Sequence, residues 1–105
     1  MAYTTGETKL TKEVIKFLDD QIKGGAPVFY EHRSGSGGFN YKKGIPDLYV
    51  VVAGVHLEIE LKTVDGKRST MQDKFKWRCE NQWQIPYCCP RTFEEFKKFF
   101  EIYWS

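Results

Sequence analysis

The chain has 105 residues, a net charge of +2, and is 41% hydrophobic and 16% aromatic. That length makes a single domain over residues 1–105 the expectation, with apolar side chains enough for a modest core. The charge is too mild to identify a nucleic-acid partner by itself, and no segment has the apolar length of a membrane span or the apolar core of a secretion signal, so an intracellular protein is expected.

Taken in order, Thr4-x-x-Glu7 has capping-box spacing, and Leu10, Val14, Phe17 and Leu18 then repeat at helical period. Gly24-Gly25 ends this helix and Pro27 follows. "VFYEHR", Val28 to Arg33, reads as a strand, and "SGSGGFNYKKG" as a glycine-rich loop with two lysines. Ile45 to Ala53 is apolar and β-branched, as a central strand would be. Gly54 marks a turn, and His56 to Lys62 alternates as a second strand. "TVDGKR" is a polar turn, and Ser69-x-x-Gln72 opens a helix with Met71, Phe75, Arg78, Cys79 and Gln82 on one side. "QIPYCC" reads as a short fourth strand, with Pro86 pointing to a sheet edge or a strand start. Three cysteines leave at least one unpaired, and adjacent Cys88 and Cys89 are poorly placed to bridge each other. A reducing setting is favoured over a disulfide scaffold, and no Cys/His spacing matches a zinc site. Thr92-x-x-Glu95 opens a last helix whose stripe is Phe93, Phe96, Phe100 and Tyr103. The expected fold is therefore α/β, in the order α-β-β-β-α-β-α, with a mixed four-stranded sheet flanked by helices and the hairpin at its centre.

The hairpin carries the chemistry. In "HLEIELK", Leu57, Ile59 and Leu61 point to one face, and His56, Glu58, Glu60 and Lys62 to the other. A strand with one wet face explains this alternation alone. A two-residue turn at Ala53-Gly54, however, pairs Val52 with Val55 and sets Asp47 directly opposite Glu60. Like charges so placed repel, and a divalent cation between them removes the cost; two carboxylates plus water are a common Mg²⁺ site. Against this register, Ala53 is a poor residue for the positive φ that a type I′ turn demands. A three-residue loop would move the two acids to opposite faces. Glu7 lies within the arc of Leu10, Val14 and Leu18, so it faces the body of the protein, yet it also occupies the N3 place of a capping box. Gln72 has the same double reading: helix cap, or a side chain that reaches the site.

"GIPD" followed by "EIELK" resembles the PD-(D/E)xK nuclease signature. More narrowly, Glu7, "SGSGG", "GIPD", "IELK", "DGKRST" and Gln72 in this order resemble a VRR-NUC domain, the virus-type replication-repair nuclease branch, over nearly the whole chain. The resemblance implies a restriction-endonuclease-like core and metal-dependent hydrolysis of DNA phosphodiesters. Carried over residue by residue, it implies metal ligands at Asp47, Glu60 and the Leu61 carbonyl, a helix-one acid at Glu7, a catalytic lysine at Lys62 and a site glutamine at Gln72. Mg²⁺ is the implied cofactor, with Mn²⁺ able to substitute and no small-molecule cofactor. "IPYCC" departs from the uninterrupted apolar run usual in the family's last strand.

Arg33 with the adjoining Ser34, and Lys42, Lys43, Lys67 and Arg68, flank the acidic hairpin where a DNA backbone would pass. His56 and His32 read as surface residues, and Glu58 as a salt-bridge partner or a solvated acid. Trp77, Trp83 and Trp104 read as packing or interface residues before they read as base-stacking platforms. On the last helix, Phe99 and Trp104 lie beside the core-facing stripe with less evident cover, which suits a homodimer; the resemblance implies branched DNA such as a Holliday junction or a flap as substrate, where two sites would cut symmetrically. The competing readings are a non-catalytic DNA-binding module of the same fold, a protein-interaction domain with a solvated charged face, and a sequence-specific restriction-type nuclease.

Overall fold

The computed structural model describes residues 6–33 and 44–105, with side chains from Lys9 onward in the first stretch. The cap expected at Thr4, and Ser34, Lys42 and Lys43 in the glycine-rich loop, lie outside the described residues.

Helix α1 spans Gly6–Lys23. Leu10, Val14 and Leu18 are buried, as their spacing requires. Gly25 (φ +92°) closes its end: the Gly25 N–H donates to the Ile22 carbonyl and the Ala26 N–H to that of Gln21, each at 3.0 Å.

Strands β1 (Val28–His32), β2 (Leu48–Val52), β3 (Val55–Ile59) and β4 (Tyr87–Cys88) form one sheet in that spatial order. The first three are antiparallel, and β4 runs parallel to β3. The sheet is mixed and the β2–β3 hairpin is central, as expected. Val52 pairs with Val55. The connecting turn has Ala53 at φ 49° and Gly54 at φ 86°, both left-handed, so the alanine adopts the conformation that its side chain disfavours.

The edge strand is short for a reason visible in its sequence. Glu58, Glu60 and Lys62 donate their N–H groups to the carbonyls of Pro86, Cys88 and Pro90. A longer parallel ladder would also need N–H groups from residues 86 and 90. Both are prolines with none to give, so pairing narrows to Tyr87–Cys88.

Leu10, Val14 and Leu18 of α1, alternate residues of β2 and β3, and Phe96 and Phe100 of α3 (Phe93–Glu101) make the core. Each buried phenylalanine contributes about 1.5–3 kcal/mol. The Phe17 ring packs edge-on against Phe93, Phe96 and Phe100, at 5.6, 6.0 and 5.1 Å between centroids. Thr92 caps α3 by accepting the Glu95 N–H at 3.2 Å. Phe99 is better covered than its wheel position implied: it packs against the core and meets Tyr103 at 5.5 Å.

Helix α2 (Thr70–Arg78) buries none of its residues, and Met71, on the side expected to hold Phe75, Arg78, Cys79 and Gln82, is exposed. The coil then widens over Cys79–Trp83, closed by the Ile85 N–H on the Cys79 carbonyl at 2.9 Å. The wider turn breaks the 3.6-residue period, burying Cys79 and leaving Gln82 exposed. The three cysteines are free thiols, and burial pushes those of Cys79 and Cys88 up to about 11 and about 12.

Candidate active site

The hairpin register continues one pair past Leu48 and Ile59, setting Asp47 opposite Glu60. The main chain shows which kind of pair this is. The Asp47 carbonyl turns to β1, where it accepts the Arg33 N–H at 2.6 Å, and the Glu60 N–H turns to β4. Their polar backbone groups thus point away from each other, which is the non-hydrogen-bonded pair, in which side chains approach most closely.

One pair further on, the ladder opens. A regular sheet would join Pro46 to Leu61 by two hydrogen bonds. Proline has no N–H for the Leu61 carbonyl, so that bond cannot form. The Leu61 N–H goes instead to Asp47 Oδ2 at 3.1 Å, and the Pro46 carbonyl accepts from Arg33 Nη1 at 2.9 Å. The strands expected to run to Ile45 and Lys62 therefore end at Leu48 and Ile59.

Glu60 is 1% exposed. Its Oε2 accepts from Gln72 Nε2 at 2.9 Å and lies 3.9 Å from Lys62 Nζ. Gln72 satisfies both of its sequence readings at once. Its Oε1 accepts the Ser69 N–H at 2.8 Å, and its own N–H donates to Ser69 Oγ at 3.1 Å, completing the capping box. The other end of the same amide holds Glu60, so the cap fixes the donor. Gly44 lets α2 come this close: a Cβ there would stand 2.5 Å from the Met71 carbonyl oxygen, and its φ is +87°. The Glu7 side chain lies outside the described residues.

Several neighbours were not foreseen. Arg91 Nη1 donates to the Thr63 carbonyl at 2.7 Å and to that of Gly66, pinning the turn that follows Lys62. The Tyr87 hydroxyl is buried without a hydrogen-bond partner among the described residues. Its pKa is raised above the usual tyrosine range, first by burial and then by the Glu60 charge. The only sequence signal was position, with Tyr87 in the fourth strand and Arg91 just after it.

The flanking charges separate into groups. Lys67 is exposed. Arg68 Nε donates to Asp73 Oδ1 at 2.7 Å, and bonds to Asp73 and Cys89 raise its pKa further. Arg33 faces inward: Nη1 and Nη2 grip Glu58 Oε1 and Oε2 at 2.9 and 3.2 Å. His56 Nε2 lies 2.7 Å from Glu58 Oε2. Of the two readings of Glu58, the structure shows the salt-bridge partner. His32 is exposed, as are Trp77, Trp83 and Trp104.

Fit to a divalent ion rests on donor chemistry. Asp47, Glu60 and the Leu61 carbonyl are an all-oxygen set suited to Mg²⁺ or Mn²⁺ with waters completing the shell. Among the described residues, no group of three or more His, Cys, Asp or Glu side chains is placed to hold a metal, so two carboxylates and a main-chain oxygen are what this part of the chain offers.

The architecture and the hairpin geometry define an α/β domain with a mixed four-stranded sheet flanked by helices. No family model and no curated protein matches the sequence. Among solved structures, the chain is similar to a VRR_NUC domain at 20% identity, with a TM-score of 0.73, over 96% of this chain and 100% of the other. The likeness is one of fold, and it spans both domains almost end to end.

Proposed function

We propose that the chain is a single metal-dependent endonuclease domain that hydrolyses DNA phosphodiester bonds, with branched DNA such as Holliday junctions or flaps as substrate. The observation that carries this reading is the Asp47–Glu60 pair at the opened end of a central hairpin, with Lys62 and Gln72 at Glu60. The fold shared with a VRR_NUC domain supports it. Asp47, Glu60 and the Leu61 carbonyl would hold Mg²⁺ or Mn²⁺. When bound, the ion supplies polarisation of the scissile phosphate and a bound water of lowered pKa. Gln72 holds Glu60 in place through its amide. Lys62 orients the attacking water or stabilises charge on the phosphate oxygens. Lys67 and Arg68, and Ser34, Lys42 and Lys43 earlier in the sequence, are proposed to contact the DNA backbone. Glu7 is proposed as a further acid of the site.

Digestion of a panel of labelled branched DNAs, with and without Mg²⁺ or Mn²⁺ and beside a Lys62→Ala control, tests the reading. Metal-dependent incision lost in the control is expected. Equal products in both proteins, or none in the wild type, would refute it. The alternative reading is a DNA-binding module of the same fold without catalysis. That module would bind the same DNAs in EDTA and incise none.

A homodimer is part of the proposal. Ile102 and Trp104, just past the end of α3, remain 71% and 38% exposed, and a two-fold contact would cover them. Two sites on one branched substrate would give paired incisions. Sedimentation at micromolar concentration checks this, and a 12.3 kDa species active on four-way junctions would exclude the dimer.

A further inference from the structure

We infer that Arg33 and Glu58 form a positioning pair, which holds the Pro46–Asp47 backbone in the shape that the divalent-ion site needs, and that Arg33 acts from inside the protein and not on DNA phosphate. The inference rests on the proposed function and concerns residues that bind neither ion nor substrate.

Arg33 is anchored at both ends. Its main-chain N–H donates to the Asp47 carbonyl at 2.6 Å. Its guanidinium reaches the Pro46 carbonyl at 2.9 Å and holds Glu58 by two parallel bonds. A bidentate pair fixes direction as well as distance. The Tyr49 ring, 5.0 Å from the guanidinium carbon, backs the same group.

The consequence lies one pair away. In a regular ladder, the Pro46 carbonyl would accept the Leu61 N–H. Arg33 holds that carbonyl, and the Leu61 N–H binds Asp47 Oδ2 instead. This bond orients the Asp47 carboxylate on the side where Glu60 stands. The proline also leaves the Leu61 carbonyl without its ladder donor. The Asp47 carboxylate therefore depends on where the residue 46 carbonyl is held, and Glu58 holds the group that holds it. A phosphate contact by Arg33 would require releasing Glu58, whose side chain is 4% exposed, and would leave only His56 beside that buried carboxylate.

The test uses the full chain as wild type, Arg33→Lys, Arg33→Gln, Glu58→Gln and the Arg33→Lys/Glu58→Gln double variant. Calorimetric titration with Mn²⁺ reads the ion site, and DNA binding in EDTA at several salt concentrations reads phosphate contacts. Lysine keeps the charge but cannot form the bidentate grip. Arg33→Lys and Glu58→Gln should each weaken Mn²⁺ binding about 10- to 100-fold, the usual effect of removing a group that orients a ligand. The double variant should be no worse than the weaker single one, because both break one linkage. The DNA salt slope should stay at the wild-type value in all variants, Arg33→Gln included. Three results would overturn the inference. Wild-type Mn²⁺ affinity in folded Arg33→Lys, even with a lowered melting temperature, would leave the pair a merely structural role. A salt slope reduced by about one in Arg33→Gln, with Mn²⁺ affinity unchanged, would assign Arg33 to phosphate. A wild type that binds no Mn²⁺ would remove the proposed function and this inference with it. Should Glu58→Gln fail to fold, the two Arg33 variants carry the test.

Discussion

Glu58 and Glu60 lie two residues apart on the same face of the same chain segment, and both are buried. Their surroundings differ. Glu58 receives a bidentate guanidinium and stands beside an imidazole. Glu60 receives a neutral amide, has an ammonium 3.9 Å away, and faces a second carboxylate across the ladder. One buried charge is balanced by a cation built into the fold. The other faces an acid, an arrangement that suits the cation site proposed above. Alternation alone does not distinguish the two; the neighbouring strands do.

The largest effects should fall on cleavage. Asp47→Ala should lower the rate at least about 10³-fold, since losing the ion forfeits several kcal/mol of transition-state stabilisation, and Mn²⁺ binding should go with it. Lys62→Ala should cost about 10²–10³-fold, in the manner of a lost charge-stabilising donor, while Mn²⁺ and DNA binding persist. Titrations of both variants check this division. Loss of Mn²⁺ affinity in the lysine variant would break it.

Stability without metal should separate the two glutamates by sign. Glu58→Ala leaves Arg33 without its buried partner and should cost about 3–5 kcal/mol. Glu60→Gln removes the repulsion with Asp47 and should stabilise the metal-free protein by about 0.2–1 kcal/mol. Urea unfolding in EDTA measures both. A destabilised Glu60→Gln would mean that Glu60 is as fully compensated as Glu58, and the contrast would fail.

Gly44→Ala acts on the contact between the two halves of the site. The new Cβ would meet the Met71 main chain at 2.5 Å, and φ is +87°. Strain of this kind costs about 1–3 kcal/mol. Movement of α2 would draw Gln72 from Glu60, so cleavage should fall together with stability. Unchanged unfolding and cleavage would show that α2 has room to shift.

Much of this was legible in the sequence, and what was not has physical causes. Strand alternation and turn length fix the hairpin register, so the Asp47–Glu60 pairing follows from local pattern. The Ser69–Gln72 spacing announces its cap, and the structure adds that the same side chain reaches Glu60. The Arg33–Glu58 grip joins residues far apart in the chain, and it depends on the β1–β2 register, which no local pattern specifies. Arg91 on the Thr63 and Gly66 carbonyls is equally non-local. The one side expected for α2 does not extend to Gln82, because the helical period changes at Cys79.

The smallest effect tests the turn on which the whole comparison depends. Ala53 sits at φ 49°, next to Gly54 at φ 86°. A left-handed conformation costs a non-glycine residue about 1–2 kcal/mol. Glycine at 53 would relieve it but would add about 0.5–1 kcal/mol of unfolded-chain entropy, leaving a small net gain. Asparagine visits this conformation readily and carries less of that entropic cost, and Asn-Gly is a favoured pair for a two-residue hairpin. The expected order of stability is therefore Ala53→Asn, then Ala53→Gly, then wild type, spanning up to about 1 kcal/mol. The turn lies at the far end of the hairpin from Asp47 and Glu60, so cleavage should be unchanged in both variants. Chemical denaturation resolves the order. A destabilised Ala53→Asn would show that the turn is not left-handed at both positions. A different loop would shift the register by one residue, and Asp47 would no longer face Glu60.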